Sequence, residues 1–179
     1  GYGTAIPQKE KKSFKHLTVE DGLSQSSVLS IAQDSMGFMW FGTKDGLNKY
    51  NTRNFEIYKR ERGKRSSLTS AQNINALLTD SKGNLWVGTQ KGLNKYLPES
   101  NSFKRFVTNP KKTNTISHNI IRSLFEDKSG QIWVGTDSGL NKLNKDDTFI
   151  RFQKGDVNIP GLAHQLVKSI YQDYKGLMW

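Results

Sequence analysis

Seven residues separate chemistry from scaffold in this chain. The frame Asp-x-x-Gly-x-x-Trp occurs four times, opening at Asp34, Asp80, Asp127 and Asp173 and closing at Trp40, Trp86, Trp133 and Trp179. Recurring carboxylates are the raw material of general acid–base chemistry. Catalysis, however, needs groups that converge on one site, and a group repeated in register belongs to the frame. The Asp is suited to accept hydrogen bonds from turn amides, and the Gly three positions on supplies the positive φ of a tight hairpin. Acids outside the repeat, Glu20, Asp21, Glu56, Glu61, Asp146, Asp147 and Asp156, are scattered and fall mostly in loops. His118 and His164 share one slot, fifteen residues before their Trp, and read as a loop preference. With no Cys and no His-x-His or His-Glu-x-x-His spacing, neither a metal nor a cofactor is expected.

The cations are distributed differently. There are 27 Lys+Arg against 16 Asp+Glu, a net charge of +11, which favours polyanionic partners. Lys59, Arg60, Arg62, Lys64 and Arg65 crowd one inter-repeat segment, Lys111 and Lys112 the next, and Lys44 and Lys91 lie in short turns. Arg pairs bidentately with carboxylate or sulfate, so Arg62, Lys64, Arg65, Lys91, Lys111 and Lys112 form a candidate site for an acidic oligosaccharide. A solvated basic surface without a specific ligand is the alternative. Nucleic acid is not an expected partner, because no interleaved aromatic-and-basic stacking pattern accompanies the charge.

These positions need a scaffold, and the tryptophan spacings of 46, 47 and 46 residues define it. Short alternating apolar runs between Gly-rich turns make each unit a four-stranded antiparallel sheet, and a period near 46 points to β-propeller blades. In the first unit, 28–33 reads as strand a, 38–42 as b, 47–50 as c and 55–59 as d. The fold class is all-β: a partial propeller of about three and a half blades. Residues 1–12 are expected as an N-terminal extension and 13–179 as the partial propeller. Within it lie an outer strand at 13–19, blades at about 28–59, 74–107 and 121–153, and the start of a fourth at 167–179. The d–a and b–c connections share one face, where long, variable d–a loops are the natural place for binding. Rings of three and a fraction blades do not close. Either two copies associate into a homodimer that completes a propeller, or the chain is a piece of a longer one. No apolar run reaches the ~18 residues needed to span a bilayer.

The second unit runs Ile74-Asn75-Ala76-Leu77 to Asp80, Gly83, Trp86, Val87-Gly88-Thr89 and Gly92-Leu93-Asn94-Lys95-Tyr96. The third runs Ile121-Arg122-Ser123-Leu124 to Asp127, Gly130, Trp133, Val134-Gly135-Thr136 and Gly139-Leu140-Asn141-Lys142. This pattern resembles the two-component regulator propeller repeat, over nearly the whole chain from Phe14 onward. The resemblance implies a ligand-sensing periplasmic region of a hybrid two-component sensor, detecting an oligosaccharide. It implies no enzyme activity in this segment, the histidine kinase lying elsewhere in such proteins. It transfers no sugar-contact residue, since those contacts are not part of the repeat. A propeller glycan lyase or hydrolase, or a protein-interaction scaffold, are the alternatives.

Overall fold

The computed structural model describes residues 13–155 and 162–179. The expected 1–12 extension and Asp156 lie outside the described residues. Twelve strands form three four-stranded antiparallel sheets, each with its strands in sequential order. The first sheet is β1 (Val28–Gln33), β2 (Met39–Thr43), β3 (Gly46–Tyr50) and β4 (Phe55–Tyr58). The second is β5 (Ala76–Thr79), β6 (Leu85–Thr89), β7 (Gly92–Leu97) and β8 (Ser102–Phe106). The third is β9 (Ile121–Glu126), β10 (Ile132–Thr136), β11 (Gly139–Leu143) and β12 (Phe149–Phe152).

The Asp-x-x-Gly-x-x-Trp frame closes every a–b hairpin in the same way. In the first, Asp34 Oδ1 accepts from the amides of Met36 and Phe38, and Gly37 takes φ +87°. The carboxylate then reaches across the turn. Its second oxygen accepts the indole N–H of Trp40 at 2.7 Å, and the same bond joins Trp86 to Asp80, Trp133 to Asp127 and Trp179 to Asp173. At Trp40 and Trp86 a large apolar ring is thereby buried with its one polar atom satisfied.

The core lies in the seams between sheets. Trp40, Leu47, Leu68, Ile74, Val87 and Phe103 fill the first seam. Trp86, Leu93, Ile116, Ile121, Val134 and Phe149 fill the second. The Gly of each Gly-Thr pair permits this approach. A Cβ on Gly88 would stand 2.6 Å from Ile121 Cγ2, and one on Gly42 2.6 Å from Ile74 Cγ2, so the next blade's strand a needs those bare backbones.

The outer strand expected at 13–19 is not paired. An outer strand bonds only to strand c of its own blade, and the described residues before 28 supply none. Residues 18–22 instead form a turn in which Asp21 Oδ2 accepts from the Thr18 amide and hydroxyl. At the other end, Tyr171 and Trp179 exchange backbone hydrogen bonds across a hairpin, placing the fourth Asp–Trp frame in register with the others. No α-helix occurs among the described residues, and so none that is long and apolar enough to cross a membrane.

Candidate functional site

The b–c turns and d–a loops meet on one face, and a repeated polar network fixes them there. Thr43, Thr89 and Thr136 each donate their hydroxyl to the carbonyl of the Gly three residues on, closing the turn. Asn48, Asn94 and Asn141 are fully buried in strand c. Each accepts from the amide of a loop residue, Ser24, Thr69 or Ser117, and donates back to that residue's hydroxyl. The Asn of the Gly-Leu-Asn-Lys motif therefore anchors the incoming d–a loop.

The far end of the loop is held by an arginine that the sequence reading left without a role. Arg105, on β8, donates Nε to Ser67 O at 2.5 Å and Nη2 to Lys64 O, Ser67 Oγ and Leu68 O at 2.8–2.9 Å. Arg151, on β12, repeats the set on Thr115 O, Lys112 O, Thr115 Oγ1 and Ile116 O. Burial, and then the neighbouring Arg60 cation, lower the Arg105 pKa from its ordinary value. The two d–a loops, expected to be variable, thus differ in sequence but share one clamped conformation. The signal was present as an Arg-Phe pair recurring in both outer strands at Arg105-Phe106 and Arg151-Phe152.

The clamp distributes the predicted cations. Arg65 and Lys91 come together in a groove of about 770 Å3 along the outer edge of the second blade. Arg60, Arg105, Leu97 and Val107 line it with them, and no carboxylate is among its lining residues. Lys64 lies in a neighbouring cleft of about 440 Å3 and is ion-paired to Glu61 at 2.9 Å. Arg62 is exposed and lines neither groove, and Lys111 and Lys112 are exposed on the next loop. The six predicted residues thus divide into a convergent pair, one neutralised lysine and three exposed cations without an ion pair among the described residues.

The other candidates have local duties. His118 Nδ1 and His164 Nδ1 each accept the amide two residues ahead at 3.1 Å. Glu56 accepts from Asn101, Asp146 caps Thr148, and Asp147 pairs with Lys104 on the neighbouring blade. Among the described residues no group of three or more His, Cys, Asp or Glu is placed to hold a metal ion.

Sequential four-stranded sheets, stacked through aromatic seams and repeating every 46 or 47 residues, are β-propeller blades. Residues 22–45, 67–91 and 115–138 match the model of the two component regulator propeller family, each match running from a d–a loop through strands a and b into the b–c turn. The three matched segments are two component regulator propeller repeats. Histidine kinase P4 of Formosa agariphila is 52% identical over 58 residues, which are 31% of this chain and 4% of the kinase. A solved extracellular domain assigned to the hybrid two component system BT3049 of B. thetaiotaomicron is 30% identical, with a TM-score of 0.82 over 92% of this chain. That of BT4673 from the same organism is 26% identical with a TM-score of 0.70. This chain spans 23% and 21% of those two domains. Virginiamycin B lyase of Staphylococcus aureus, 11% identical with a TM-score of 0.59, shares the fold.

Proposed function

We propose that this chain is a ligand-sensing propeller segment of a periplasmic two-component sensor region, and that its d–a/b–c face binds an acidic oligosaccharide. The observation that carries the reading is the groove in which Arg60, Arg65, Lys91 and Arg105 gather without a carboxylate in the lining. Its volume lies within the ~300–1,000 Å3 of small-molecule sites, and it offers an apolar strip for sugar-ring faces beside donors for carboxylate or sulfate. The fixed loop conformation favours recognition, because ordering costs on binding are reduced.

A lyase or hydrolase reading lacks support from the acids: Glu56, Glu61, Asp146 and Asp147 are engaged in an inter-blade bond, a cap or an ion pair, and among the described residues no group of three or more His, Cys, Asp or Glu converges. The segment is accordingly read as non-catalytic. The test is calorimetric titration of the chain with a sulfated tetrasaccharide, a galacturonate tetramer and neutral cellotetraose at physiological salt. The acidic sugars should bind, and Arg65→Glu/Lys91→Glu should weaken them at least about tenfold, about 1.4 kcal/mol. Equal affinity for cellotetraose, or indifference to the double reversal, would refute the acidic-ligand reading.

A further inference from the structure

A second place on the same face breaks the repeat, and it lies at the axis rather than the rim. Twelve residues before each Trp stands Val28, Ile74, Ile121 or Val167; ten residues before stands Ser30, Ala76, Ser123 or Ser169. Both positions keep their type because they pack: Ile74 and Ile121 are fully buried, and Ser30 and Ser123 donate to Ile74 O and Val167 O of the following blade. The position between them carries Leu29, Asn75, Arg122 and Lys168. These four, at one register position of four successive repeats, with Leu29 in β1, Arg122 in β9 and Asn75 just before β5, line one cavity of about 320 Å3. Packing holds the neighbours alike in type, and the position that lines this cavity is the one that diverges.

The chemistry at this ring suits a charged sugar unit. Arg122 is held by a bidentate pair to Asp137 of the b–c turn, at 2.5 and 3.0 Å, which places the ring at the b–c/d–a end of the channel. That pair presents both donors and acceptors to hydroxyl groups. Asn75 donates Nδ2 to Ile121 O at 2.8 Å, which orients its amide. Lys168 is exposed and has no carboxylate partner among the described residues. Leu29, 40% exposed, supplies an apolar wall. Lys44 and Gln90 occupy the b–c turn position of Asp137 in the first two blades, so that position carries one further cation, and the neighbouring Asp45 is ion-paired to Lys59 at 2.7 Å.

We infer that the channel mouth is a second carbohydrate subsite, in which Arg122, Lys168 and Asn75 receive one anionic sugar unit of the oligosaccharide. This rests on the sensing reading above and adds to it the position that sets specificity. The cavity volume, at the low end of small-molecule sites, restricts it to a short unit.

The test compares three forms of the chain: the parent, the rim variant Arg65→Glu/Lys91→Glu, and the channel variant Arg122→Gln/Lys168→Gln. Both channel side chains are exposed, so the fold should persist; unchanged circular dichroism and melting verify it. A companion variant, Arg122→Gln/Asp137→Asn, removes the ion pair without leaving a lone carboxylate. Titrated with the sulfated tetrasaccharide and the galacturonate tetramer, the channel variant should lose at least about tenfold in affinity, about 1.4 kcal/mol, for one of them. The companion variant should show a loss for the same sugar. Parent-like affinity in the channel variant, with binding lost in the rim variant, would overturn the channel subsite and leave the sensing reading intact. If no acidic sugar binds the parent chain, both fall together.

Discussion

Replacing Arg105 by Met removes the guanidinium and keeps an aliphatic stem of similar length, so the comparison isolates the clamp from the packing. Four hydrogen bonds are lost. Their value differs by acceptor. Lys64 is exposed, and water can take over its carbonyl. Ser67 and Leu68 are 4% and 0% exposed, and their carbonyls have no other hydrogen bond among the described residues. An orphaned buried polar group costs about 1–3 kcal/mol, so two of them, partly relieved by loop relaxation, amount to about 2–4 kcal/mol. With a urea m-value of about 2 kcal/mol/M, the unfolding midpoint should fall by about 1–2 M. The effect should also be local. The Phe103 amide, bonded to Ser66 O, and the loop amides of Lys64 and Ser67 should exchange faster before global unfolding. Ile57 occupies the equivalent slot of the first blade and makes no such bonds, so Ile57→Met is the matched control, expected within about 0.5 kcal/mol of the parent. A midpoint within about 0.25 M of the parent, with loop protection unchanged, would refute the clamp.

Gly88→Ala should destabilise by about 2 kcal/mol or more, because its Cβ would meet the buried Ile121 side chain at 2.6 Å in a seam that cannot widen without separating two blades. Urea unfolding checks this, and a neutral outcome would mean the seam is looser than it looks. Stability should fall in acid. At Asp80 and Asp127 burial pushes the carboxyl up but is outweighed by hydrogen bonds from indole, side chains and backbone amides; at Asp137 the bond from Arg122 leads. All three are held below the usual carboxylate value. Such groups contribute fully above the unfolded value of about 3.9 and lose that contribution as pH falls through their lower folded values. Melting followed by indole fluorescence should therefore be flat from pH 7 to about 5 and drop below about 4; a melting temperature that holds or rises into acid would contradict it.

The strand order and blade boundaries were legible because the repeat carries them locally. A turn Asp, a positive-φ Gly and an indole at fixed spacing specify the a–b hairpin wherever they occur. The loop clamp was less legible. Arg105 and its acceptors are about forty residues apart, and backbone carbonyls leave no mark in sequence. The grouping of the cations was not legible at all. Arg65 and Lys91 converge only because the loop and the b–c turn of one blade are brought together by Asn94 and Thr69, whereas Arg62, three residues from Arg65, is exposed and lines neither groove. The grouping of Leu29, Asn75, Arg122 and Lys168 was not legible either, because their common register has meaning only once the successive repeats are placed around one cavity.

Repetition also explains why recognition should reside where it is weakest. The polar links between outer strand and neighbouring turn differ from seam to seam. Glu56 accepts from Asn101 in the first seam, whereas Lys104 pairs with Asp147 in the second, at the same two repeat positions. Exchanging partners would set Glu56 against Asp147, two acids, across a seam. Blades identical in frame are in this way made distinct in order, by charges that add little stability of their own at an exposed edge. The same logic applies at the axis. A backbone fixed by Asp–Trp, Asn–Ser/Thr and Gly–Thr contacts presents its side chains at constant spacing, so exchanging Leu, Asn, Arg and Lys at one register changes what the channel mouth recognises without disturbing what holds it. Specificity can then vary between such chains at a handful of positions, while the seams remain under the packing constraint that keeps their residues alike.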